Sequence, residues 1–148
     1  MSLRSMSAAD LEAVAALELA IFGEEAWTRR MLADELVAAG RHYLVAVDGA
    51  RVTGYGGLLT VAATADVLTL AVAADRWGQG IGSALLEALL AEAGNRGCTE
   101  IFLEVRTDNT RAQRLYRRYE FADVGIRRGY YQPSGADALV MRRELERA

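Results

Sequence analysis

Val72-Ala73-Ala74-Asp75-Arg76-Trp77-Gly78-Gln79-Gly80-Ile81-Gly82-Ser83 is the stretch on which the fold turns. An apolar strand over residues 67–72 ends here and a long helix over residues 82–96 begins, with Gly97 as its stop. Three glycines at spacing two join them. Glycine has no Cβ, so the backbone is free to turn its amides inward and a ligand can approach closely. The unpaired N–H groups and positive dipole end of the helix then suit an anion, a phosphate or pyrophosphate above all. The competing reading is a plain strand-to-helix turn, and three glycines in five residues at a helix start favour the anion site over it.

Working outward, the hydrophobic period changes along the chain. Residues 3–6 read as a short first strand, after which Ser7 with Asp10 forms a capping box that opens a helix. Leu11, Val14, Leu17, Glu18 and Ile21 give that helix a mostly apolar stripe, and Gly23-Glu24-Glu25-Ala26 breaks it. Thr28 caps a second helix running to about Ala39, with Trp27 placed to staple onto Leu32 and Gly40 as its end. The period then falls to two over residues 42–47 and 52–59, joined by a hairpin turn at Asp48-Gly49. Beyond the glycine turn and its helix come a strand over 101–106, a helix over 110–119, and strands over 124–130 and 138–142. This order predicts one α/β domain spanning residues 1–148, a mixed and mostly antiparallel sheet of about seven strands with four helices on both faces. A dinucleotide fold fits poorly, because its glycine turn follows the first strand rather than a meander near mid-chain.

Composition removes further classes. All 17 basic side chains are arginine, so a Schiff-base enzyme, a lysine general base and a nucleotide loop with its phosphate-binding lysine are excluded. One cysteine, Cys98, and one histidine, His42, make no disulfide and no cysteine- or histidine-based metal cluster, so no metal is expected. Cys98 reads as a small buried residue and His42 as structural or exposed. With 52% apolar residues, no signal-like start and no long apolar run, the chain is expected to be soluble and cytoplasmic, without a membrane partner. Residues 1–75 carry five arginines and ten acids, a net −5, whereas residues 76–148 carry twelve and ten, a net +2. The acidic overall balance argues against direct nucleic-acid binding.

In Ile101-Phe102-Leu103-Glu104-Val105-Arg106, alternation sends Phe102, Glu104 and Arg106 to one face. A carboxylate in the middle of a central strand is costly to bury. It is either neutralised by Arg106 on the same face or kept for a task, and both readings stay open on spacing alone. Tyr116, on the same helical stripe as Ala112 and Tyr119, likewise reads as ordinary core or as a functional phenol.

With Gly80-Ile81-Gly82, the glycine turn resembles the acetyl-CoA signature of the GCN5-related N-acetyltransferase (GNAT) superfamily. Trp77 stands where that signature carries glutamine or arginine, and the resemblance in element order extends over essentially the whole chain. It implies that the pyrophosphate of CoA lies on the amides of Gly78, Gln79, Gly80, Ile81, Gly82 and Ser83. Leu70, Ala71 and Val72 would hydrogen-bond the pantetheine arm, with the Val72 amide donating to the thioester oxygen. Glu104-Val105-Arg106, Asn109, Ala112, Leu115-Tyr116, Phe121, Arg127-Arg128 and Tyr130-Tyr131 resemble, more specifically, the RimI group, which acetylates ribosomal protein N-termini. Gly129 departs from the asparagine that relatives often carry. This resemblance implies Glu104 as general base, Tyr116 as general acid and Asn109 as a CoA contact, with acetyl-CoA as co-substrate and no metal.

The implied partner is a basic protein N-terminus, namely the N-terminal alanine of the eighteenth small-subunit ribosomal protein, followed there by arginine. Glu24 and Glu25 would recognise that cationic start, and Trp27 or Tyr131 would pack on its stem. A solvated acidic loop, with Trp27 serving only as a staple, is the alternative. Arg111, Arg114, Arg117 and Arg118 read mostly as a solvated helix face, with some meeting the 3′-phosphate of CoA. Acetylation of a small amine or a lysine side chain, and a non-catalytic CoA-binding regulatory module, are the rival functions.

Overall fold

The computed structural model describes residues 1–146. In chain order the elements are β1 (Ser2–Ser5), α1 (Leu11–Phe22), α2 (Arg29–Val37), β2 (Arg41–Asp48), β3 (Arg51–Val61), β4 (Thr64–Val72), α3 (Ile81–Asn95), β5 (Glu100–Arg106), α4 (Thr110–Arg118), β6 (Ala122–Arg127) and β7 (Ala138–Glu144). Local chemistry sets several of these boundaries. Ser7 N donates to Asp10 Oδ2 at 2.8 Å, and the chain makes one 3-10 turn, Ala8–Asp10, before entering α1. The Thr28 hydroxyl accepts from Met31 N at 3.1 Å at the start of α2, and Gly49 takes φ +59 in the β2–β3 turn.

Seven strands form one sheet in the order β1-β2-β3-β4-β5-β7-β6. Each neighbouring pair is antiparallel except β4 and β5, which are parallel and are joined through α3, as a parallel pair requires. The expected mixed sheet with four helices on both faces is therefore present. One core lies between the sheet and α3 with α4, built on Leu58, Leu85, Leu86, Leu89, Ile101 and Met141. A second lies between the sheet and α1 with α2, built on Val14, Leu32, Val45 and Tyr55. Cys98 is buried in the first of these. Among the described residues, no helix is long and apolar enough to cross a membrane.

One irregularity in the sheet creates the site. The parallel pairing of β4 with β5 runs from Thr64↔Glu100 to Val67↔Leu103 and stops there. At the same level β4 bulges against β3, since Leu58 pairs with Val67 while Gly57 pairs with Thr69, leaving Leu68 as the extra residue. A bulge bends a strand and reverses which side chains face which way beyond it. Accordingly Ala65 and Val67 lie in the α3 core, whereas Ala71 lies in the α1 core and Leu70 and Val72 pack toward α3. Beyond Val67 the two central strands diverge, and the sheet is split.

Candidate active site

The split is a continuous cleft, with one part of about 510 Å³ toward α1 and the β6–β7 loop and another of about 500 Å³ toward the start of α3. Leu70, Trp77, Asn109, Arg111 and Tyr116 line both parts.

The α3 part is built largely from backbone. Gly78 and Gly80 have φ +81 and +84, and Gly80 is the N-cap of α3. These left-handed conformations favour glycine, and a Cβ at either position would meet nothing within 4 Å, so the cradle is open. Gly78, Gly80, Ile81, Gly82 and Ser83 line this part, while Gln79 is exposed and lies outside the lining. Arg76, Arg111, Arg114 and Arg118 line it too, and among the described residues no carboxylate does. Ala73 N donates to Thr53 O at 2.9 Å. Antiparallel alternation then turns the backbone groups of Ala71 toward β3 and those of Leu70 and Val72 toward the split. The Val72 carbonyl is taken by the Trp77 indole N–H at 2.8 Å, which leaves its amide. Asn109 Oδ1 accepts from Ala112 N at 3.1 Å, so this side chain caps α4 at the cleft wall.

Glu104 and Tyr116 enter the cleft from opposite faces of the sheet. Tyr116 is 6% exposed, its ring set edge-on to Phe121 with centroids 5.9 Å apart. Burial pushes its phenol up to about 12, with Arg111 opposing, so it stays protonated near neutral pH. Burial also raises the Glu104 carboxyl above the ordinary glutamate range, Arg127 opposing and Asp66 adding to the rise. Arg106 does not neutralise Glu104. It pairs instead with Glu25 at 2.8 Å and with both oxygens of Asp108 at 3.0 Å. Among the described residues the cation paired with Glu104 is Arg127, whose Nε is 3.8 Å from Oε1, too long for a hydrogen bond. Asp66, half-buried on β4 and raised by burial, is a second carboxylate beside it that the sequence reading passed over.

The other part of the cleft is held by side chains from many elements. Glu18, only 2% exposed, accepts from the Tyr55 hydroxyl, from Thr69 Oγ1 at 3.2 Å and from Trp27 N at 2.9 Å. It thereby ties α1 and the α1–α2 loop to β3 and to the bulged segment of β4. In the sequence Glu18 stands on the apolar stripe of α1 with no partner in view, and a carboxylate among Val14, Leu17 and Ile21 is itself the signal of a buried polar tie. Glu25, Trp27 and Tyr131 line this part, whereas Glu24 is exposed and outside it. Glu25 also accepts from the Ser134 hydroxyl, so with Arg106 it bridges the α1–α2 loop to the β6–β7 loop across the cleft. Among the described residues, four carboxylates, Glu18, Glu25, Glu104 and Asp108, line this end against two arginines, giving the cleft an acidic end and a basic one.

Residues 11–121 match the model of the Acetyltransferase (GNAT) family. The chain is 40% identical over 145 residues to the N-alpha-acetyltransferase RimI of Mycobacterium tuberculosis, covering 95% of this chain and 90% of that protein. It is 30% identical over 141 residues to a Bacillus subtilis protein named for [ribosomal protein bS18]-alanine N-acetylation, covering 95% and 93%. Its fold matches the crystal structure of the ribosomal-protein-S18-alanine N-acetyltransferase of Escherichia coli with a TM-score of 0.89 at 28% identity, over 99% of this chain and 95% of that one.

Proposed function

The chain belongs to the acetyltransferase (GNAT) family, and from that premise we propose that it moves the acetyl group of acetyl-CoA onto the N-terminal alanine of a protein. The acceptor best supported is the eighteenth small-subunit ribosomal protein, the substrate named for the Bacillus subtilis relative and the Escherichia coli structural neighbour. The observation that carries the reading is that Glu104 and Tyr116 reach one cleft from opposite faces of a split sheet.

The residues fit the co-substrate. An open cradle of amides from Gly78 to Ser83 and four arginines suit the phosphates, and the Leu70 and Val72 backbone edge suits the amides of the arm. Acetyl-CoA supplies an acetyl thioester. Glu104 accepts the proton that the attacking amine must lose, and the protonated Tyr116 hydroxyl donates to the departing sulfur. An α-amine with a pKa of about 7.7–8.0 is roughly a tenth neutral at pH 7, whereas a lysine amine near 10.4 is well under a thousandth neutral. A half-buried glutamate is thus a better-matched base for an N-terminus than for a lysine. The acidic end of the cleft favours a cationic second residue, with Trp27 and Tyr131 beside it.

Initial rates on peptides beginning Ala-Arg, on lysine-bearing peptides with blocked N-termini and on free polyamines or amino acids test the proposal. The Ala-Arg peptides are expected to lead in kcat/KM, and a preference for the free amines would overturn the assignment of acceptor.

A further inference from the structure

Trp77 stands one residue before the glycine cradle. Its indole N–H is committed to the Val72 carbonyl at 2.8 Å, which fixes the ring across the end of β4. The guanidinium carbon of Arg111 lies 3.6 Å from the centre of that ring, close enough for face-to-face stacking. Arg111 comes from the first turn of α4, thirty-four residues later in the chain, so only the tertiary fold makes this pair.

Three features leave Arg111 short of negative charge. Asp108, the carboxylate nearest in sequence, is held through both oxygens by Arg106. Among the described residues Arg111 has neither a carboxylate partner nor a hydrogen bond from its guanidinium, while Arg117 on the same helix is paired with Asp123. Arg111 also sits at the positive end of the α4 dipole, where a cation is disfavoured. Partial desolvation lowers its pKa, yet a guanidinium does not give up its proton, so the charge stays and waits for a partner. It lines the cleft beside Gly78 and Gly80, where the α3 amides add positive potential.

We propose that Arg111, held flat by Trp77, binds the pyrophosphate of CoA together with the glycine-turn amides, so that a cation from α4 completes a site otherwise built from backbone. The inference rests on the acetyl-CoA reading above. An exposed anion site built this way needs the ring as well as the charge, since the indole face restrains a side chain that is otherwise flexible in water.

Calorimetric titration with CoA and with dephospho-CoA, with no turnover involved, tests it. Arg111→Ala is expected to raise Kd about tenfold for both ligands, because both retain the pyrophosphate. Trp77→Ala should have a similar effect, with the double variant little worse than either single one, as for two residues that act as a unit. Arg117→Ala, whose cation is already paired, should change Kd less than about twofold. Equal Kd for Arg111→Ala and the parent protein would overturn the proposal, and so would a loss confined to CoA, which would move Arg111 to the 3′-phosphate. Absence of CoA binding by the unaltered protein is a different result and sinks the acetyl-CoA reading itself.

Discussion

Gly78 to Ser83 give the basic end of the cleft its backbone from one unbroken run of six residues, whereas the acidic end draws Glu18 from α1, Trp27 from the next loop, Tyr55 from β3 and Thr69 from β4. The first is a conformation, fixed by two glycines at positive φ and a helix start. The second is a meeting of side chains, fixed only when two layers of the fold are packed together. A backbone cradle tolerates the exchange of many side chains around it. A side-chain junction fails when one member is removed, because the others are left buried without partners.

Substitutions at four positions sharpen that contrast. The largest effect is expected where the two ends meet. Glu104→Gln should lower kcat/KM on an Ala-Arg peptide about 10²–10³-fold at pH 7. Burial raises the Glu104 carboxyl, so the base form of the native protein is lost as pH falls through a value above the ordinary glutamate range. The deficit of the variant should shrink by about tenfold near pH 9, where an α-amine is already neutral. A deficit of the same size at pH 7 and 9 would rule out proton removal as its role.

At the acidic end, Glu18→Ala should cost about 2–4 kcal/mol in urea unfolding, since the Tyr55 and Thr69 hydroxyls and the Trp27 N–H lose their shared acceptor. Glu18→Gln, which keeps one acceptor oxygen, should restore most of that stability. In this milder variant the peptide KM should rise while CoA Kd holds; a change in CoA Kd alone would place Glu18 with the other end. Tyr116→Phe should slow turnover about 10–100-fold with CoA affinity intact, and unchanged turnover removes the acid assignment. The smallest effect belongs to the backbone. Gly80→Val, strained by about 1–2 kcal/mol at φ +84, should weaken CoA binding roughly tenfold and leave the peptide KM alone.

How far the sequence could be read follows the same division. The capping side chain Thr28, the Asp48-Gly49 turn and the period-two runs are local, and each appears within a few residues of where its pattern lies. The pairing of Arg106 with Glu104 looked local too, yet residues two apart on a strand share a face without necessarily touching. Glu25 and Asp108 reach Arg106 instead. Glu24 and Glu25 were indistinguishable as neighbours in a short acidic run. A single 3-10 turn leaves Glu24 exposed and turns Glu25 toward the cleft.

The sequence by itself determined the alternation of strands and helices, the glycine cradle, the absence of lysine chemistry and the face on which Glu104 stands, because each depends on backbone preference or spacing within a few residues. Only the tertiary structure decided that β4 bulges at Leu68 and parts from β5, that Glu18 is a buried tie and that Arg111 lies on Trp77 without a counter-ion among the described residues. Those outcomes depend on which groups, tens of residues apart, compete for the same partner once water is excluded, and that competition has no local signature in the chain.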